Sequence, residues 1–321
     1  MVAFAPSPVP LVIAGEHLAG RAPQHDKSLV RVRPGVYAPI ADWSPLAPWE
    51  RYLARVHATR VRIRHPVFCL ESAAALLGLP LFGEPRHIHL LARGARTVTR
   101  GDVVAHAFLD SRAAVSLRDT SATSVADTVL DLGRVLPPAF GLAVADAALH
   151  HDEVSVESLR GRFAVQRARR GSRQIAWMLS EADPLAESVT ESISRAVIGW
   201  LGYKRPELQV KFRYEGVDDR VDFYWRRRRT IGEADGFGKY DAGDPESSKA
   251  RFIAEKVRED RLRRYERGFV RWDSHDPFHP QRLDAKLRAA GLILERAPNV
   301  ALLATLRQAS RRSTPASARD G

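Results

Sequence analysis

Apolar and polar positions alternate most clearly between Val221 and Tyr240. Val221, Phe223 and Trp225 are interleaved with Asp222 and Tyr224; four arginines follow, Arg226, Arg227, Arg228 and Arg229; and a second run opens at Thr230 and closes near Gly236. Such alternation predicts two half-buried strands joined by a basic turn. A symmetric turn sets Asp222 opposite Glu233 and Arg220 opposite Asp235. Like charges opposed across a ladder destabilise it. The pair therefore makes sense mainly with a cation between the carboxylates, and a divalent metal is the obvious candidate.

Around this hairpin the pattern predicts alternating helices and strands. A short apolar piece spans Leu11 to Leu18, and Leu29 to Tyr37 reads as two short strands about a Pro34-Gly35 turn. Trp49 to Val61 is helical, with Tyr52, Leu53 and Val56 on one face. Ser72 to Gly78, Thr123 to Leu132 and Ala139 to His150 read as helices, and His87 to Leu91 and Val103 to Phe108 as strands. His87 and His89 share a strand face, and without a third ligand nearby the pair reads as exposed strand rather than a metal site. Further on come a helix from Leu185 to Trp200 with Glu187, Glu191 and Arg195 four apart, and a strand from Leu208 to Tyr214. After the hairpin follow a basic helix from about Ser248 to Tyr265, a stop at Gly268, and a strand from Phe269 to Trp272. A last helix, Val300 to Leu306, leads into a tail from Arg311 that is expected to be disordered.

Composition narrows the class. The chain has 321 residues, 45% hydrophobic, enough for two or three domains of α+β or α/β type. Its formal charge of +12 favours a polyanionic partner, nucleic acid before membrane, while a plain basic protein from an arginine-rich proteome stays open. The single cysteine, Cys69, excludes an internal disulfide framework and a cysteine-built zinc site. Pro6, Pro8 and Pro10 interrupt the N-terminal apolar patch, so neither a signal peptide nor a membrane span is expected and the location read is cytoplasmic.

Two resemblances add to this reading. The Leu29–Tyr37 hairpin, the Ser72 helix followed by Gly78-Leu79-Pro80, the Thr123–Leu132 helix and the Ala145-Asp-Ala-Ala148 segment resemble actinobacterial proteins of the AbiEi-like antitoxin group. The order helix, three strands, helix, strand resembles the PD-(D/E)xK nuclease core, within it the very-short-patch-repair endonuclease-like branch. Ser188 to Arg195, Val221 to Trp225, Gly232 to Tyr240 and Phe269 to Trp272 carry that match. Together they imply a truncated winged-helix-like region at 1–62, a mixed α/β antitoxin-type middle domain at 63–182, a restriction-endonuclease-like core at 183–296, and a short helix and tail at 297–321.

The implied chemistry is hydrolysis of a DNA phosphodiester. Hard oxygen ligands would hold Mg²⁺ or Mn²⁺, namely Asp222 and Glu233 with Glu191 from the preceding helix, and Lys239 is expected to stabilise developing charge. The family's lysine two residues after the second acid is replaced by Asp235, which can ligate but cannot act as an ammonium. Two functions stay open: a metal-dependent endodeoxyribonuclease, and a non-catalytic DNA-binding antitoxin or autorepressor with a cognate toxin. Phosphate contacts are expected from Arg226 to Arg229, because a tight turn leaves them no local acids, and from Lys256 and Arg258 on the basic helix and Arg31 and Arg33 on the N-terminal hairpin.

Overall fold

The computed structural model describes residues 4–15, 23–92, 94–117, 120–235 and 245–306, with backbone alone from 245 to 252. Lys239 and the tail from Arg311 lie outside the described residues. The chain forms two compact units, one from Met1–Leu136 with Glu153–Ala176, the other from Pro137–Asp152 with Trp177–Arg311. Helices and several sheets make the whole a mixed α/β protein. Among the described residues no helix is long and apolar enough to cross a membrane.

The first unit opens with β1 (Val12–Ile13), β2 (Leu29–Arg33) and β3 (Val36–Pro39), a three-stranded sheet in the order β1-β3-β2. The hairpin thus exists, but it gains a third strand from the piece at Leu11. Among the described residues no α-helix precedes it; α1 (Ile40–Trp43) and α2 (Pro48–Arg62) follow. Then come β4 (Val67–Phe68), α3 (Leu70–Leu76), β5 (Ile88–Leu91), β6 (Val98–Arg100), β7 (Val103–His106), β8 (Ala114–Leu117), β9 (Thr120–Thr123) and α4 (Val125–Val135). Their strands form a six-stranded mixed sheet, β6-β7-β5-β4-β9-β8. Tyr52 and Val56 from α2 meet Phe68, Leu76 and Ile88 in its core, the helix face expected from their spacing. Thr123, expected to begin a helix, instead ends β9; Ser124 caps α4 by accepting the Asp127 N–H.

The chain then passes through α5 (Pro138–His150) in the second unit, α6 (Val156–Ala164) in the first, and α7 (Ser172–Glu181), which leads back to the second. There α8 (Val189–Leu201) precedes β10 (Glu207–Tyr214), β11 (Val217–Trp225) and β12 (Thr230–Asp235); α9 (Pro245–Tyr265), β13 (Gly268–Asp273), α10 (Pro280–Ala289) and α11 (Val300–Ala304) follow. The sheet order is β10-β11-β12-β13, antiparallel except that β13 runs parallel to β12 after the α9 crossover. Helix, three strands, helix and strand thus occur in the order read from the chain.

Helix α8 starts four residues later than expected, because Ser188 is its cap and accepts the Glu191 N–H. It ends at Gly202, whose φ of 99° suits a residue without a side chain; a Cβ there would lie 2.1 Å from the Arg296 carbonyl oxygen. Glu191 and Arg195, four apart on α8, do not pair with each other. Arg195 is buried and donates to Asp146 of α5 at 2.5 Å and to the Glu181 carbonyl. A buried ion pair that loses one member leaves an uncompensated charge, so Asp146→Ala should cost about 3–5 kcal/mol. Urea unfolding checks this; a loss below about 1 kcal/mol would show that Arg195 does not depend on its partner.

Candidate functional site

The register of the second sheet brings four polar side chains to one level. Leu208 pairs with Phe223 and Val210 with Val221, which sets Gln209 of β10 opposite Asp222 of β11. The β11–β12 ladder runs from Trp225/Thr230 to Phe223/Gly232, so Asp222 and Glu233 stand just beyond its last pair, and Glu233 pairs with Arg271 of β13. Gln209, Asp222, Glu233 and Arg271 therefore follow one another across the sheet.

At that level two strands change face. Val210 and Val221 pack with Leu262 of α9, whereas Phe223 stacks towards Trp272, whose indole donates to Ser194 of α8. A regular strand returns to the same face at every second residue, so the alternation breaks at Asp222. On β10 the matching break is Gln209, which takes a φ of 51°. That conformation costs a non-glycine residue of order 1–3 kcal/mol and persists only where its surroundings impose it. Here the Gln209 amide donates to Glu191 Oε2 at 3.0 Å.

Each carboxylate has its own neighbours. Glu191 is the third residue of α8, and its oxygens accept from the Glu187 N–H at 3.0 Å and the Ser188 hydroxyl at 2.8 Å as well as from Gln209. Ser188 thus caps α8, a pattern legible in the chain as Ser followed three residues later by Glu, and the Glu191 carboxylate takes the Glu187 N–H rather than that of Ser188. Asp222 Oδ2 accepts the Ala234 N–H at 2.9 Å. Glu233 Oε1 accepts from Arg258 of α9 at 2.8 Å. Arg220 does not meet Asp235, as a symmetric hairpin would have it; it holds Glu187 with two hydrogen bonds. Asp235 Oδ2 lies 3.7 Å from Arg271 Nε.

Electrostatics link the three acids. Burial raises the Glu191 carboxyl above its ordinary value, and the charge on Asp222 adds to the rise. Glu233 is pushed up to about 7, first by burial and then by Asp222, with Arg258 and Arg271 opposing. Asp222 therefore lies within the field of both glutamates. Among the described residues, no three of His, Cys, Asp and Glu are gathered so as to hold a metal ion as they stand. What they offer an ion is hard oxygen, the donor type suited to Mg²⁺ or Mn²⁺, and carboxylate oxygens keep lone pairs beyond the hydrogen bonds they already accept.

No protein-family model and no solved structure matches the chain. The uncharacterized proteins Rv2248 and MT2308 of Mycobacterium tuberculosis are each 32% identical to it over 235 residues, 72% of this chain and 80% of theirs. The chain belongs to their family.

In this family member most of the arginines expected at phosphate are engaged elsewhere. Arg226 forks onto Glu207 and Arg229 lies 3.5 Å from Glu266, so the turn does find acids, on the neighbouring strand and beyond α9. Arg227 and Arg228 remain exposed, without a carboxylate partner among the described residues. Lys256 is exposed and 3.7 Å from Asp260. Arg258 points inward to Glu233, Glu255 and the Arg220 carbonyl rather than to solvent. In the first unit Arg33 is bound by both oxygens of Asp102, whereas Arg31 is exposed. Sequence reasoning missed Gln209 and Arg271. Gln209 lies outside the matched segments and Arg271 lies in one, Phe269–Trp272, that was read only as a strand, and the sheet register is what brings both to the acids.

The shifted Glu233 carboxyl has a measurable consequence. Its proton is held to about pH 7 in the folded chain but released near 4.5 once the chain unfolds. The folded state thus binds the extra proton, and this contribution to stability is complete below about pH 4.5 and lost as the pH rises through about 7. In metal-free buffer Glu233→Gln should remove that part of the decline between about pH 4.5 and about pH 8. Urea titrations of the two proteins across the range test it, and parallel stability curves would assign the decline to other groups.

Proposed function

We propose that the second unit is a PD-(D/E)xK-type domain, close to the very-short-patch-repair endonuclease-like branch, that cleaves DNA strands with Mg²⁺ or Mn²⁺. One observation carries the reading: Glu191 at a helix start, Asp222 on the second strand and Glu233 on the third share one electrostatic field, in a unit whose elements run helix, three strands, helix, strand. Buried carboxylates that repel one another are stabilised by a cation between them. When bound, the ion would polarise a phosphoryl oxygen and lower the pKa of a water. The positive charge missing at Asp235 is replaced from neighbouring elements by Arg258 and Arg271. The Arg271 Nε, 3.7 Å from Asp235 Oδ2, is buried without a hydrogen-bond partner among the described residues, a donor that a phosphate oxygen suits.

Around this unit the N-terminal sheet and the six-stranded region read as the winged-helix-like and antitoxin-type parts, with DNA as the partner of the whole chain in the cytoplasm. Of the cations read from the sequence, Arg31, Arg227 and Arg228 are exposed without a carboxylate partner among the described residues and are the ones assigned to its backbone. A second reading, a non-catalytic AbiEi-like antitoxin or autorepressor with a cognate toxin, is favoured by Arg258 standing on Glu233 at 2.8 Å and by aspartate in the lysine position.

Plasmid nicking by the purified chain in Mg²⁺ or Mn²⁺ separates the two. Under the nuclease reading Glu233→Ala lowers cleavage by about a hundredfold or more, since a metal ligand is worth several kcal/mol in the transition state, while DNA affinity without metal is unchanged or slightly higher. Asp235→Lys raises cleavage if the aspartate merely displaced an ammonium, and lowers it if it is a ligand. A wild-type chain that binds DNA and never nicks it establishes the second reading; nicking that survives both Asp222→Ala and Glu233→Ala sinks the site.

Binding should depend steeply on salt, because each neutralised phosphate releases counterions. Replacing Arg227 and Arg228 together by alanine should reduce the slope of log affinity against log salt by about two, and replacing Arg226 by much less, since it is already paired. Equal slopes for both variants would place the DNA surface elsewhere.

A further inference from the structure

The first unit holds a second group of titratable side chains that the proposed cleavage does not use. Strands β5 and β7 are parallel, with His89 opposite Val104 and Leu91 opposite His106. His89 and His106 therefore share a sheet face, and His87, two residues before His89, shares it by alternation. The pair read as exposed strand is instead largely covered: the His89 side chain is 14% exposed. His89 Nδ1 lies 2.8 Å from His106 Nε2, with ring centroids 5.0 Å apart. On its other side His89 Nε2 is 3.5 Å from Glu71 Oε2 of α3, and the His87 ring centroid is 6.2 Å away.

We propose that His89 and His106 form a seat for one divalent ion of the zinc class, with Glu71 as the carboxylate that orients His89. The placing of Glu71 favours the tautomer with its proton on Nε2, which leaves the Nδ1 lone pair directed at His106. A carboxylate behind a ligating histidine is the usual arrangement around such ions, since it sets the ring and raises its basicity. Two nitrogens on one tetrahedral zinc stand about 3.3 Å apart, given bonds of about 2.0–2.1 Å. The 2.8 Å separation needs to open by only about half an ångström. No third ligand is in place as the side chains stand; His87 on the same face is nearest to hand, with water for the rest. In the hydrogen bond as it stands His106 Nε2 carries the proton that faces His89 Nδ1, and ligation moves that proton to His106 Nδ1, which a neutral imidazole allows. Imidazole donors select Zn²⁺, Co²⁺ or Ni²⁺ rather than the Mg²⁺ suited to the carboxylates of the second unit. The inference is independent of the nuclease reading.

The test uses the full-length chain, tag-free and stripped with chelator, titrated with Co²⁺ by visible absorption and with Zn²⁺ by calorimetry. With excess Mg²⁺ present to keep the carboxylates of the second unit occupied, one ion should bind per chain. His89→Ala and His106→Ala should each weaken it by at least about a hundredfold, and Glu71→Gln by about 10–100-fold, the usual loss when an outer carboxylate is removed. If an alanine variant unfolds, nitrogen NMR of the wild-type imidazoles decides instead, because both rings must shift when one equivalent of Zn²⁺ is added. Absence of binding at one equivalent, undiminished binding by the folded histidine variants, or unshifted rings overturns the proposal.

Discussion

Carboxylates that lie within one another's field and largely out of water oppose folding, and the second unit is arranged around that constraint. Asp222 raises both Glu191 and Glu233, and each acid is met by groups from a different element. Glu191 is absorbed into the cap of α8 and reached by Gln209, Asp222 takes a backbone N–H of β12, and Glu233 takes a guanidinium from α9. The break in alternation at Asp222 and the positive φ of Gln209 belong to the same solution. A strand that kept its alternation would give this level of the sheet to apolar side chains.

Acids on other elements hold several of the cations that were expected to face a partner. Of the arginines in the β11–β12 turn, Arg226 and Arg229 are neutralised, and Arg258 is drawn inward, where it opposes the rise of Glu233. Guanidinium groups pair with carboxylates in a fork geometry that is more favourable when partly buried than when hydrated. The overall charge therefore overstates the positive charge left unpaired at these positions. It also places cations at the acids, where the Glu-Ala-Asp motif has none of its own.

The two units handle buried charge differently. In the first, Asp131 of α4 is held by both arms of Arg112, which fastens the helix to the loop before β8, and Asp127 by Arg162, which joins α4 to α6. In the second, the Asp146–Arg195 pair joins α5 to α8 and so steadies the helix that presents Glu191. The histidine group on β5 and β7 is of another kind, because its members are neutral and attract one another only through a proton or an ion.

Local pattern determined the longer elements. The helix at Trp49–Val61, the helix ending at His150, the strands at Leu208–Tyr214 and Val221–Trp225, and the order of elements around α9 all followed from periodicity and stop residues, since backbone hydrogen bonding within a helix or hairpin depends on near neighbours. Strands of two to four residues such as β4, β6 and β9 were not legible, being too short to show a period and held only by their sheet. The three acids were legible as residues, and the Ser188 cap beside Glu191 was present in the chain although the acid was read only as a ligand. Which cation meets which acid was decided by the tertiary structure alone. Arg258 lies 25 residues from Glu233, Asp102 lies 69 from Arg33, and Asp146 lies 49 from Arg195. Coulomb attraction and desolvation depend on distance in space, and no spacing along the chain carries that distance.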